Sequence, residues 1–422
     1  MGYFYGVMLT PPATSFYGRL SYKRQLWAEI LLAPGSETAL LGIFLLTRIF
    51  DPSRLDVTLL FALNHVSFLA APWITDRIRS WPAARVCNLI LLLSVPPLLC
   101  AALVRGFWGI GPLLVLANIA FITVMVPLRN RMMRSNYTDS ERGASYGQIK
   151  SISTALFFGV ALAGAFRLTE HPTSIYWMLP VIGVSTFFGV RLLSRFPVRG
   201  ESRALARENQ TPRKSTAKIY GELFQLFRNH RRFRMFEIGF MIYGLGFMLT
   251  IPQEISAVTK ETNIQPIGIV IGIHGITPFI KMLFISFFGR LLDRNGVAQT
   301  ASLAFLLLAL YPLAVWGAVA FGSIGAWFVA RAVFGMAMAG VDVCWSLGPV
   351  MFGGADKAAN YSAAHIFAVG IRAAIVPIVG YMVYTIIGSG VYAVGSAVLI
   401  LAAMHMATLH RQDKKIAYSK SG

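Results

Sequence analysis

Charge is scarce in this sequence. Of 422 residues only 13% are Asp, Glu, Lys or Arg, about half of the ~25% that a soluble domain carries. Cysteine is scarcer still. Cys87, Cys100 and Cys344 each sit inside an apolar run and none is at ligand spacing, which excludes a disulfide scaffold and leaves them as small apolar filler. No Gly-x-x-x-x-Gly-Lys phosphate loop occurs, no histidine pair at metalloprotease spacing, and no Gly-x-Ser-x-Gly elbow. These gaps argue against an ATP-driven pump and a hydrolase, and neither a catalytic residue, a cofactor nor a metal is expected. The N-terminus mixes Pro11, Pro12, Arg19, Lys23 and Arg24 with scattered aromatics. It lacks the charged-then-apolar order of a signal peptide, and Gly6 breaks the myristoylation pattern.

What is abundant is apolar surface. The apolar residues make up 56% of the chain and fall into twelve blocks of about twenty, the length that crosses a bilayer as a helix. Lipid offers no partner to the open backbone of a strand, and the blocks lack the alternation of a barrel, so an all-α membrane protein is expected. The net charge of +20 is not read as a nucleic-acid footprint, because Lys and Arg crowd one set of connections. With the chain alternating from a cytoplasmic N-terminus, the outer connections hold only Arg48, Arg54, Arg105, Arg167 and Lys260. The positive-inside rule then puts both termini in the cytoplasm, at what is expected to be a bacterial inner membrane.

The expected organisation is a cytoplasmic segment 1–25, a six-helix half 26–194, a basic linker 195–233, a second six-helix half 234–409 and a tail 410–422. The linker carries Arg199, Arg203, Arg207, Arg213, Lys214 and Lys218. Its second part spaces Ile219, Tyr220, Leu223, Phe224, Leu226 and Phe227 as one helix face, which suits a helix lying on anionic lipid headgroups. The halves repeat each other: Asp76-Arg77 corresponds to Asp293-Arg294, and the stretch from Glu141 to Tyr146 to that from Asp356 to Tyr361, at nearly one offset. Parallel repeats of this kind build secondary transporters.

Gly289-Arg290-Leu291-Leu292-Asp293-Arg294-Asn295-Gly296 resembles the Gly-x-x-x-Asp-Arg-x-Gly loop of the major facilitator superfamily. Arg331 followed by Gly335 and Gly340 resembles its Arg-x-x-x-Gly span motif. The resemblance covers about residues 26–409 and implies twelve transmembrane helices in two pseudo-symmetric halves around a central cavity. It also implies a gating role for Gly289, Asp293, Arg294 and Gly296, with Asp76 and Arg77 as the first-half copy. The first copy has Pro72 and Arg79 where the glycines belong, and span 5 lacks the Gly-Pro signature of drug antiporters.

Ionisable groups inside a span are costly and mark pathways or interior faces by default. Glu37 sits beside Pro34 and Gly35, where a broken helix would line a cavity and a buried carboxylate would take a proton; it is the expected proton-coupling residue. His274 and Lys281 lie two turns apart on one helix face, and His365 and Arg372 repeat that spacing. Lys150 occupies the repeat position of His365. With Asp342 these residues (Lys281, Arg372, His365, Lys150, His274) form the expected substrate site, and Glu37 and Asp342 are read as its only central acids. Arg331 lies a turn inside the outer end of its span, where snorkelling competes with burial. A mostly cationic lining suits a carboxylate or phosphate. The function expected is secondary active transport of a small organic anion, coupled to protons, by a monomer in contact with membrane lipids. Export of amphipathic or cationic compounds, lipid flipping, and a non-transporting scaffold on the same fold are the alternatives.

Overall fold

A computed structural model describes residues 15–210 and 212–421, with side chains at all of these except 37–40, 139–144, 350, 353–359 and 413–421. Every apolar block is helical, as backbone without water to bond requires. The helices are α1 (Phe16–Phe50), α2 (Arg54–Ile78), α3 (Ala83–Cys100), α4 (Phe107–Asn136), α5 (Asp139–Glu170), α6 (Ile175–Ser194), α7 (Glu201–Gln210), α8 (Thr216–Asn229), α9 (Arg231–Lys260), α10 (Pro266–Phe321), α11 (Ile324–Ile387) and α12 (Val391–Ser421). Among the described residues ten helical stretches are long and apolar enough to cross a membrane. Two of the ten, Pro266–Phe321 and Asn360–Gln412, are 56 and 53 residues long, enough for two crossings each. The first is broken at Gly296, whose φ of 79° suits a residue without a Cβ. The second is broken at the turn Gly388–Gly390. Divided there, they match the twelve apolar blocks.

Two compact units form: Met1–Gly42 with Trp73–Lys214, and Ile43–Pro72 with Ser215–Gly422. In the first unit Leu32, Val86, Ile90, Phe121, Val124 and Val190 share a buried core. Glu29 and Arg129 pair inside it through two parallel bonds, Nε to Oε1 at 2.6 Å and Nη2 to Oε2 at 2.8 Å. Proline and glycine were expected to interrupt α1 beside Glu37, and they do not: the helix runs through Pro34 without a break. Gly35 instead marks a close approach, since a Cβ there would meet Thr186 and Phe121. The side chain of Glu37 lies outside the described residues.

The basic linker is two helices, each held by its own unit. In the first unit Glu201 of α7 accepts from the Ala83 amide at 2.7 Å and pairs with Arg131 at 3.4 Å, and Glu208 pairs with Arg79 at 2.6 Å. In the second unit Ser215 caps α8 by accepting from the Lys218 amide, Ile219 and Leu223 are buried, and the Tyr220 hydroxyl donates to the Leu69 carbonyl at 2.7 Å. The apolar face of α8 thus meets protein through Ile219 and Leu223 and through the Tyr220 and Phe224 rings against Phe367, while Phe224 itself stays exposed.

Candidate functional site

The polar interior of the second unit is organised by α9. Phe233, Phe236, Phe240, Tyr243 and Phe247 recur every three or four residues, so they form one stripe along the helix. Glu237 lies on the same stripe, and Glu254 continues it two turns beyond Phe247. Each of these acids meets a basic residue from α11. His365 Nδ1 lies 2.9 and 3.0 Å from the two Glu237 oxygens, with both side chains buried. Arg331 Nη1 approaches Glu254 Oε1 at 3.5 Å and donates to the Tyr311 hydroxyl oxygen at 2.8 Å. Tyr311 in turn donates to Glu254. Arg331 Nε also donates to Thr277 Oγ1 at 3.1 Å. One turn on, a Cβ at Gly335 would strike the Thr277 carbonyl, so the arginine and the glycine of the Arg-x-x-x-Gly motif serve one contact between α10 and α11. Arg331 is only 3% exposed. The snorkelling reading of this residue is excluded.

Between these two pairs sits Arg372, only 4% exposed. Its Nη1 donates to the Phe240 carbonyl, and its guanidinium carbon lies 5.1 Å from the centre of the Tyr243 ring. Gly244 makes this packing feasible, because a side chain there would overlap the guanidinium. No carboxylate lies within ion-pair distance of Arg372 among the described residues, and its Nε has no hydrogen-bond partner. His365 and Arg372 thus do share a face, as their spacing predicts. The one meets Glu237 and the other meets α9 one turn further along.

Lys281 and Asp342 form an ion pair between α10 and α11, each about a third exposed. Tyr243 lies within electrostatic reach of both Asp342 and Arg372. Lys281, Asp342 and Arg372 are therefore brought to one neighbourhood around Tyr243, while His365 packs on Phe240 one turn away. His274 is not presented as Lys281 is. It is buried within a π-helical turn, Ile271–Ile276, whereas Lys281 is part-exposed. Lys150 lies in the first unit, half-buried on α5. No group of three or more His, Cys, Asp or Glu among the described residues could hold a metal ion.

No protein-family model matches the sequence, and no curated protein matches it. Solved structures do match. A mutant of the nucleoside transporter NupG superposes with a TM-score of 0.70 at 14% identity, over 92% of this chain and 99% of that one. A POT family transporter in complex with 5-aminolevulinic acid gives 0.69 at 13% identity, over 96% and 99%. A D-xylose-proton symporter gives 0.65 at 14% identity, over 92% and 97%. The chain has the major facilitator fold. With its apolar helices, it is an integral, multi-pass membrane protein.

The signature loop of the major facilitator fold takes different forms in the two units. In the second, Asp293 and Arg294 are exposed, and neither has an ion-pair partner among the described residues. Gly296 makes the turn, and a Cβ at Gly289 would meet open space. In the first, Asp76 pairs with Arg79 at 3.3 Å, and Arg77 lies over the Trp73 ring.

Glu37 and Asp342 are not the only central acids, which corrects the expectation from the sequence. Glu237 and Glu254 are both buried inside α9. They stand near the ends of the apolar block 234–256, where an acid reads as a boundary charge. Their register with the aromatic stripe is the signal that could have found them.

Proposed function

We propose that this protein is a secondary active transporter that moves a small organic anion by alternating access, coupled to protons. Arg372 carries the reading. It is a buried guanidinium with no carboxylate at ion-pair distance among the described residues and no hydrogen-bond partner at Nε, and such a group favours an anionic ligand held through paired hydrogen bonds. The charge balance around it supports an anion over a cation. Glu254 and Asp342 are each matched by a cation, Arg331 and Lys281, and Glu237 is hydrogen-bonded to His365, so no acid among the described residues is paired with Arg372. The fold it shares with a proton symporter and with nucleoside and POT family transporters supports transport and proton coupling.

For the coupling proton the reading takes the Glu237–His365 pair, because Glu237 acts electrostatically on Arg372. Glu37 is the candidate of the first half. The loop residues Asp293 and Arg294 are taken as a gate, with Asp76 and Arg77 as its counterpart. Both termini and the linker are assigned to the cytoplasmic face of a bacterial inner membrane, on the strength of the Lys and Arg distribution.

A thermal-shift screen of the purified protein against organic acids, phosphorylated metabolites and cationic dyes tests the reading. Stabilisation by an organic anion in the wild type, lost in Arg372→Gln, is the expected result. Stabilisation by cations alone would overturn the choice of an anion. Silence across the whole panel, in protein that melts cooperatively, would favour a scaffold.

A further inference from the structure

Arg372 and Arg331 cap the two ends of a stack of rings. Beside the guanidinium of Arg372 is Tyr243, which stacks on Phe247 with ring centres 5.9 Å apart and planes 15° apart. Phe247 stacks on Phe334 at 5.9 Å and 9°, and the Arg331 guanidinium lies 4.5 Å from the centre of Phe334. The two ends differ. Arg331 is satisfied by Glu254, Tyr311 and Thr277, while Arg372 keeps its Nε edge unused. The rings differ as well. Tyr243 is buried and backed by Phe305 at 4.6 Å, but Phe247 and Phe334 keep part of their surface exposed.

We infer that the anion bound at Arg372 is a planar aromatic carboxylate, of the benzoate class. The inference rests on the anion reading above and narrows it. A carboxylate would pair with the Arg372 Nε, which is enclosed here yet has no hydrogen-bond partner, since Nη1 is already committed to the Phe240 carbonyl. The remainder of the ligand then lies along the wall of rings. A flat ring there gains offset stacking in addition to burial, which a puckered saturated ring of equal size does not. The part-exposed Lys281–Asp342 pair, electrostatically linked to Tyr243 on the Asp342 side, offers polar groups to ring substituents.

Benzoate and cyclohexanecarboxylate share charge and carbon count and differ in planarity. Their affinities for the full-length protein in detergent, measured by calorimetry, test the inference. Benzoate should bind at least about threefold more tightly, the scale of one aromatic contact. Phe247→Leu and Phe334→Leu should abolish that preference while keeping cyclohexanecarboxylate binding, and Arg372→Gln should lose both ligands. Equal affinities in the wild type, or a preference for the saturated ring, overturn the aromatic class. Binding of succinate or inorganic phosphate without benzoate also overturns it, yet leaves the anion reading standing. If none of the four anions binds to protein that still melts cooperatively, the anion reading itself falls. The comparison in the wild type needs no variant to fold.

Discussion

Lys281 of α10 and Asp342 of α11 neutralise each other across the interface of their helices. A lysine read as a free cation for substrate is thus masked in this state by the acid next to it. The two residues should therefore act in opposite directions. Asp342→Asn unmasks the ammonium and should raise affinity for an organic anion severalfold, while Lys281→Ala should lower it. The double variant should fall between them, because two residues in contact do not add. Calorimetric titration of the four proteins checks this. Equal affinity in all four would place the pair outside the site.

The Glu254–Arg331 pair should behave as a structural element. Both side chains are almost fully enclosed, and removing one partner strands a buried charge at a cost of about 3–5 kcal/mol. Arg331→Ala and Glu254→Ala should each lower the melting temperature sharply. Glu254→Gln should cost less, since its amide still accepts from Tyr311 and Arg331. Single variants that melt like the wild type would show that the pair contributes little to stability.

How much of this was legible follows from where polar groups can hide. The helical fold was readable because hydrocarbon leaves backbone one solution, and the repeat and loop motif named its class. Arg372 and His365 were readable because an ionisable residue in mid-span is rare enough to count. Glu237 and Glu254 were not, since α9 runs from Arg231 to Lys260 and extends past the apolar block at both ends. Acids near a block's edge are then interior residues of the helix. The Lys281–Asp342 pairing was beyond reach for another reason. It depends on how α10 and α11 cross, which spacing along one helix does not encode. The helix α8 showed amphipathicity correctly, but an apolar face alone does not say whether it will meet lipid or protein.

That helix supplies the next prediction. Ile219 and Leu223 anchor α8 to the second unit, while Arg213 and Lys218 flank its start on the exposed side. Leu223→Asp should release the helix and speed tryptic cleavage near Arg213 to Lys218. Tyr220→Phe removes only the bond to Leu69 and should speed it less. Cleavage at the wild-type rate in Leu223→Asp would mean that the helix is held elsewhere.

The loop of the second unit should respond differently from that of the first. Asp293 is exposed and has no ion-pair partner among the described residues, so Asp293→Asn should leave the melting temperature nearly unchanged. If the residue latches the cytoplasmic side in another state, its loss shifts the population rather than the fold. A cysteine at Ser286 should then be labelled faster in the Asp293→Asn background. Asp76 is already ion-paired with Arg79, so Asp76→Asn should cost some stability as well. Unchanged labelling in a folded Asp293→Asn protein would reduce the loop to ordinary surface charge.

The proposed coupling of proton to anion has a definite sign. Glu237 and His365 share a hydrogen bond in the buried interior, and the charge of Glu237 is felt at Arg372. While the carboxylate is ionised it competes with an incoming anion for the field of the guanidinium. Adding one proton to the pair makes the neighbourhood more positive by one charge and should tighten anion binding. Binding and protonation are then linked in both directions, because a coupling free energy is reciprocal. Anion affinity should accordingly fall as pH rises, and binding should take up protons, seen as a dependence of calorimetric heat on the buffer. Glu237→Gln removes the competing charge permanently, so affinity should stay high at all pH values and proton uptake should vanish. Accumulation of substrate against a gradient should be lost while exchange persists. The same assay on Glu37→Gln separates the two candidates. If Glu237→Gln keeps the wild-type pH dependence and Glu37→Gln loses it, the coupling proton belongs to α1, and the Glu237–His365 pair serves only to hold α9 and α11 together.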